Sequence, residues 1–413
     1  VTTRRDFLYG VAGTLAVGVL VGDTGSAAAA TTGVSLVATD GYISVPGREG
    51  NPLYVFGFVR VDPALTVAQL ESTYKGHAQH TAPTLDLRQD DDIKITLTNL
   101  GFVQRPDLVD SHTVHWHGFD LPTPLNDGVP EVSVAVPVNK QFTYFYRPHR
   151  EGTYMYHCHF EDVEHVQMGM TGVVFVRPRQ DGTAFGGFTR FAYNDGDGST
   201  GYHRHFAILL NELWRDFHDG DRDIQETIPT DYDPHWFTLN GRTYPQTTLP
   251  NDDPALPAAL RIGTPNPNYD DAVDHSQPNS ALIQVNPGER VLLRLANLGY
   301  QQHSMQLPGI PLHVIGQDAA PLRAASYWTN TLYLGPGEAR DVLFDAPAYD
   351  PARPSGSDTW GAYNVYFFKN RDWRRLQNFA SPAPGPGGMM TEVRVYAPAR
   401  PLPAQTVVSQ TYV

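Results

Sequence analysis

The stretch Leu87-Arg-Gln-Asp-Asp-Asp-Ile-Lys-Ile-Thr-Leu-Thr-Asn-Leu-Gly101 is answered later in the chain by Val285-Asn-Pro-Gly-Glu-Arg-Val-Leu-Leu-Arg-Leu-Ala-Asn-Leu-Gly299. Each copy reads as a turn with an acidic residue, a run of alternating or apolar residues that suits a strand, and a second turn closing on Asn-Leu-Gly. Three more blocks repeat in the same order. His112-Thr-Val-His-Trp-His-Gly118 aligns with His303-Ser-Met-Gln-Leu-Pro-Gly309, and Gly152-Thr-Tyr-Met-Tyr-His-Cys-His159 with Gly361-Ala-Tyr-Asn-Val-Tyr-Phe-Phe368. Gly169-Met-Thr-Gly-Val173 aligns with Gly388-Met-Met-Thr-Glu-Val393. Four blocks in one order predict two copies of one domain, at 36–178 and 201–398, with 179–200 as a linker and 399–413 as a tail. Strands bounded by Gly and Pro, with little helical periodicity, predict an all-β chain of two tandem sandwiches or barrels.

Composition narrows the functions open to such a chain. Its 413 residues carry 30 basic against 44 acidic side chains, a net charge of −14 that argues against nucleic acid as a partner. A single cysteine among 16 histidines excludes a disulfide framework and any four-cysteine zinc or iron–sulfur site. The twin arginine Arg4-Arg5, the apolar run 11–22 and the small residues 26–30 predict an export signal over 1–30, with the mature protein extracellular or in the cell envelope.

Seven of the 16 histidines fall between His112 and His165, alongside Cys158. A thiolate, two imidazoles and a weak thioether form the ligand set of a blue-copper site, which Cys158, His165, Met170 and His112 would supply. Cys158, His165 and Met170 are expected on one turn-rich loop and His112 on a neighbouring strand; Met168 is the other thioether in reach, and Met170 is preferred. Strand alternation puts His115 and His117 on one face, and His157 and His159 on the face opposite the cysteine. These four could hold further copper one residue from the thiolate. Cys158, with His157 and His159, would then form a covalent wire between two metal centres and carry the catalysis.

The pattern H-x-x-H-x-H-G, then H-C-H, a histidine and Gly-Met resembles the multicopper oxidases, which include laccases and are built from cupredoxin domains. The resemblance implies two cupredoxin-like Greek-key sandwiches. It also implies His112, Cys158, His165 and Met170 as type 1 copper ligands, and His115, His117, His157 and His159 as ligands of the cluster where dioxygen is reduced. It implies a small electron-rich donor (a phenol, an aminophenol or a metal ion), dioxygen as acceptor, and a homo-oligomer, since two-domain relatives usually form trimers.

Three features depart from the family pattern. His165 lies seven residues after Cys158 rather than five, with Glu161, Asp162 and Glu164 in between. The first domain combines type 1 and trinuclear ligands, which three-domain members carry in their last domain. The second repeat has Gln306 and Pro308 for His115 and His117, and Tyr366, Phe367 and Phe368 for His157, Cys158 and His159. A trinuclear cluster takes eight histidines from two facing domains, so completion by His303, His203 or His205 across a subunit interface is one expectation. A smaller centre, as in copper nitrite reductases, is the alternative, and a blue-copper electron carrier without turnover is a third. The acidic trio before His165 is expected as a solvated loop that could accept a proton from a phenol.

Overall fold

The computed structural model describes residues 31–48, 50–121, 123–224, 228–250, 279–378 and 385–412. The expected export signal lies outside the described residues. Among them, no helix is long and apolar enough to cross a membrane.

The repeated segments form largely buried strands that build two sandwiches. In the first, β2 (Leu53–Val61), β1 (Thr31–Ile43), β4 (Asp92–Gly101) and β6 (Gln141–Tyr146) form one sheet in that order. The facing sheet is β3 (Leu85–Arg88), β8 (Thr171–Arg177), β7 (Gly152–His157) and β5 (His115–His117). Leu36, Phe56, Ile95 and Tyr144 from one sheet meet Leu85, Trp116, Tyr156 and Val174 from the other in a single core. The short helix α1 (Val67–Tyr74) packs Leu70 and Tyr74 against Val37, Val59 and Leu100 on the outer face.

The second sandwich repeats the plan with added edge strands. One sheet runs β10 (Trp236–Leu239), β9 (Arg204–Leu213), β12 (Arg290–Asn297), β18 (Ala339–Asp345), β14 (Leu312–Gln317) and β15 (Ala320–Pro321), with β16 (Tyr327–Thr329) beside β14. The other runs β11 (Ile283–Val285), β21 (Met390–Tyr396), β20 (Gly361–Asn370), β13 (His303–Gln306) and β17 (Leu332–Leu334), with β19 (Gly356–Asp358) on β20. Even the parallel pairs recur: β1 with β4 matches β9 with β12, and β3 with β8 matches β11 with β21.

The repeated Asn-Leu-Gly has a shared job. The side-chain amides of Asn99 and Asn297 donate to the backbone just upstream of His112 and His303, at Asp110 and Gln301, and to Val136 and Leu334 across the strand. Each Asn carbonyl oxygen also accepts the N–H of the glycine two residues on.

Strand register corrects one alignment. His115 pairs with His157 and His157 with Thr171; in the second unit Gln306 pairs with Lys369 and Lys369 with Met390. The N–H of Cys158 donates to the Met170 carbonyl as that of Asn370 does to Met389. The counterparts of His157, Cys158 and His159 are therefore Lys369, Asn370 and Arg371, not Tyr366, Phe367 and Phe368. The second unit's hairpin strand is longer, and the Gly152–Gly361 match hid the offset.

The segment expected as a linker is packed. Phe191, Ala192 and Tyr193 are buried, and the Tyr193 hydroxyl donates to Asp341 at 2.6 Å. Asp341 also accepts from Thr153 at 2.6 Å and lies 3.6 Å from the buried Arg294 guanidinium, which ties the two sandwiches together. Met155 and Val173 of the first unit meet Ala207, Leu209, Ala296, Leu298 and Ala339 of the second in a small apolar seam. Residues 399–412 of the tail fold back on the second unit, where Tyr412 stacks under Arg204.

Candidate metal centres

Cys158 follows directly on β7 rather than lying within it, and its side chain enters the first core. Its Sγ lies 3.2 Å from Nδ1 of His165 and 3.9 Å from Nδ1 of His112, and all three residues are fully buried. His112 is held by a reciprocal pair of backbone hydrogen bonds to Val136. The segment expected as a turn-rich loop contains α2 (Asp162–Met168), which carries His165 in its last turn. The acidic trio lies at its start, with Asp162 and Glu164 in the first turn. Gly169, at φ +122°, ends the helix and donates to the carbonyls of His165 and Val166. Met168 and Met170 are both fully buried in the same core.

These residues fit a soft cation. The Nε2 atoms of His112 and His165 are buried without a hydrogen bond among the described residues, Asp110 standing 4.0 Å from that of His165, and the Nδ1 atoms converge on sulfur. Phe56 packs edge-on to His165 at 5.7 Å and Phe102 tilts over His112 at 5.6 Å, which keeps the pocket dry. Burial opposes charge on His165. The Cys158 sulfur, Asp110 and Glu164 outweigh it and push its pKa up to about 10, so the pocket calls for positive charge.

The second cluster is built on β5 and the end of β7. His115 and His117 flank Trp116, whose ring is buried in the core, and His157 pairs with His115 across the strands. Ligand-type nitrogens of His115, His117 and His157 all lie within 4.8 Å of one another. The His159 ring stands 5.0 Å from that of His115. Burial lowers the pKa of His115 and His117, and takes His157 down to about 3, so these imidazoles are neutral and their lone pairs are open to a metal.

The other expected ligands stand apart. His303 is bonded to Glu212 through Nε2, and its Nδ1 faces Asn370 and Arg375. In the second unit this spot corresponds to the first unit's His112 and Cys158, and a guanidinium lies in it. His203 accepts the Arg290 N–H, and buried His205 stacks on Tyr202 at 5.2 Å.

Three carboxylates escaped the sequence reading. Asp110 lies 4.0 Å from Nε2 of His165 and, with Glu164, forms a further group of possible ligands around it. Asp127 holds His115 through its carbonyl at 2.7 Å and its carboxylate at 3.3 Å. Asp221 comes from the second unit, on α3 (Arg215–Asp223). Burial, Glu164 and Asp110 push it up to about 8, against the pull of His165 and Arg105. No spacing signal marks any of them; only the position of Asp110 two residues before His112 is suggestive.

Multicopper oxidase family models match residues 68–181 and 206–353. Laccase-1 of Emericella nidulans is 31% identical over 107 residues, 25% of this chain and 16% of its own length. Laccase-7 of Oryza sativa subsp. japonica is 27% identical over 237 residues, 56% of this chain and 34% of its own, so the chain spans well under half of these curated relatives. The blue copper oxidase from Nitrosomonas europaea shares the fold with a TM-score of 0.60 at 21% identity, covering 88% of this chain and 85% of that one. With both sandwiches matched in this way, the chain belongs to the multicopper oxidase family, whose cofactor is copper.

Proposed function

We propose that the protein is an exported copper oxidoreductase. It takes single electrons from an electron-rich small molecule at the His112, Cys158, His165 and Met170 centre. His115, His117, His157 and His159 would hold the copper that supplies the reduction of dioxygen. The observation that carries this reading is that two ligand clusters flank one short segment, residues 157–159. Copper supplies one-electron redox chemistry at both places.

The chain's own contribution is positional. Cys158 gives its side chain to one cluster, and its neighbours His157 and His159 belong to the other, so a few covalent bonds join them. The carbonyl of Cys158 accepts from Nδ1 of His157 at 2.8 Å and fixes that ring. Asp110, beside Nε2 of His165, can accept the proton released when a phenol or aminophenol is oxidised, and with Glu164 suits a low-valent metal ion equally.

The test is one purified preparation. Wild-type protein should be blue, Cys158→Ser colourless, and oxygen uptake should accompany oxidation of a phenol. Colour that survives the substitution overturns the type 1 assignment, and nitrite consumption without oxygen uptake overturns the choice of acceptor. Export is supported by Arg4-Arg5 and the apolar run after it, and is read by whether residues 1–30 carry a reporter out of the cell.

A further inference from the structure

We infer that the second centre is a mononuclear copper site, complete within one chain on His115, His117 and His157, in place of the family's trinuclear cluster. The inference rests on the reading of those histidines given above and changes its metal count.

The ring orientations come first. Nδ1 of His115 lies 2.7 Å from the Asp127 carbonyl, and Nδ1 of His157 lies 2.8 Å from the Cys158 carbonyl. A carbonyl oxygen only accepts, so both Nδ1 atoms carry the proton and both Nε2 atoms keep a lone pair. Nδ1 of His117 stands 3.5 Å from Nε2 of His157. Two nitrogens at that separation, each about 2.0–2.1 Å from one metal ion, subtend roughly 115–120° there, near the trigonal angle. His115 completes a three-nitrogen set, and His159 stands beside it.

Among its described residues, the second sandwich brings no imidazole to this place. Its turn Gly335-Pro336-Gly337 covers the far edge of His117. A Cβ on Gly337 would lie 3.3 Å from Cε1 and 3.4 Å from Nε2 of that ring, so a glycine at φ +76° suits this close approach. The group of the second unit that acts electrostatically on His117 is the Asp318 carboxylate. The described histidines of the second unit are engaged elsewhere. His218 donates to the Tyr54 carbonyl, His235 packs on Trp236, His313 stacks on Trp328, and His203, His205 and His303 are held as described above.

At the positions matched by strand register, a second copy of the chain does not repair the deficit. By strand register, the residues that its second sandwich would present in place of His115, His117, His157 and His159 are Gln306, Pro308, Lys369 and Arg371. A shared cluster built from those positions would meet two cations and no imidazole.

Copper content and spectra of the full, copper-loaded protein decide the matter. The expected result is two copper ions per chain. The electron-spin spectrum should show one type 1 signal and one magnetically isolated second copper in equal amounts. The near-ultraviolet band of a bridged copper pair should be missing. Titration of the oxidised protein with a one-electron reductant should consume two equivalents per chain. His117→Gln and His157→Gln should each drop the count to one copper and keep the blue colour. Three or four coppers per chain, a bridged-pair band, or four reducing equivalents would overturn the inference while leaving the oxidoreductase reading intact. A blue protein with one copper in wild type would overturn it as well. Loss of the blue colour itself would strike the earlier reading instead. The wild-type measurements stand even if either variant fails to fold.

Discussion

Acid should open the seam behind the Cys158 cluster through two buried histidines. His80 is fully buried with neither ring nitrogen hydrogen-bonded among the described residues, and its ring presses on the backbones of Gly169 and Gly241. His218, on α3, donates from Nδ1 to the Tyr54 carbonyl at 2.6 Å, and its Nε2 stands 3.4 Å from the Gln167 amide. Burial lowers His80 to about 3, helped by the charge His218 takes on once protonated; burial lowers His218 to about 4, against the pull of the Tyr54 carbonyl. Both are neutral in the fold, whereas the unfolded chain takes up their protons below about pH 6.5. The unfolded state therefore binds more protons as pH falls from about 6.5 toward 3, and stability falls with it. At about pH 4 the difference is about 3 kcal/mol for each ring, a large part of a typical total stability of about 5–15 kcal/mol. Urea unfolding midpoints measured across this range should drop steeply in wild type. In the His80→Gln/His218→Gln variant, which cannot titrate there, the slope should be much shallower whatever its absolute stability. An equally steep loss in the variant would refute the reasoning, and measuring both with and without copper separates this effect from ligand protonation.

Three further outcomes are expected. Gly169→Ala places a Cβ 2.4 Å from Cδ2 of His80 and 2.9 Å from the Phe56 carbonyl oxygen, at φ +122°. It should cost about 3 kcal/mol and lower the melting temperature by several degrees, and an unchanged melt would contradict the packing. Asp341→Ala leaves the buried Arg294 without its carboxylate and should cost about 3–5 kcal/mol, with Asp341→Asn intermediate, as read by denaturant unfolding. Asp127→Ala removes the carboxylate 3.3 Å from Nδ1 of His115 but keeps the backbone carbonyl at 2.7 Å, so it should weaken the second copper by no more than about 10-fold in a chelator competition while leaving the blue band in place.

The sequence by itself determined the repeat, the all-β plan and which histidines share a face around Cys158. Each of these is local: a strand alternates every second residue, so His115 and His117 must share a face and Trp116 must take the other. The candidate copper ligands could be named for the same reason, since they are close in sequence or lie on paired strands. Only the tertiary structure decided the rest. The offset that sets Asn370, not Phe367, opposite Cys158 lies in a lengthened strand, and inter-strand hydrogen bonds fix register where sequence spacing does not. The helix that carries His165 was hidden because seven residues show too little periodicity to mark a helix. Asp110, Asp127 and Asp221 reach the centres from three separate segments, one of them in the other sandwich. A lone carboxylate gains its role from what folding packs against it, and no pattern along the chain encodes that neighbour.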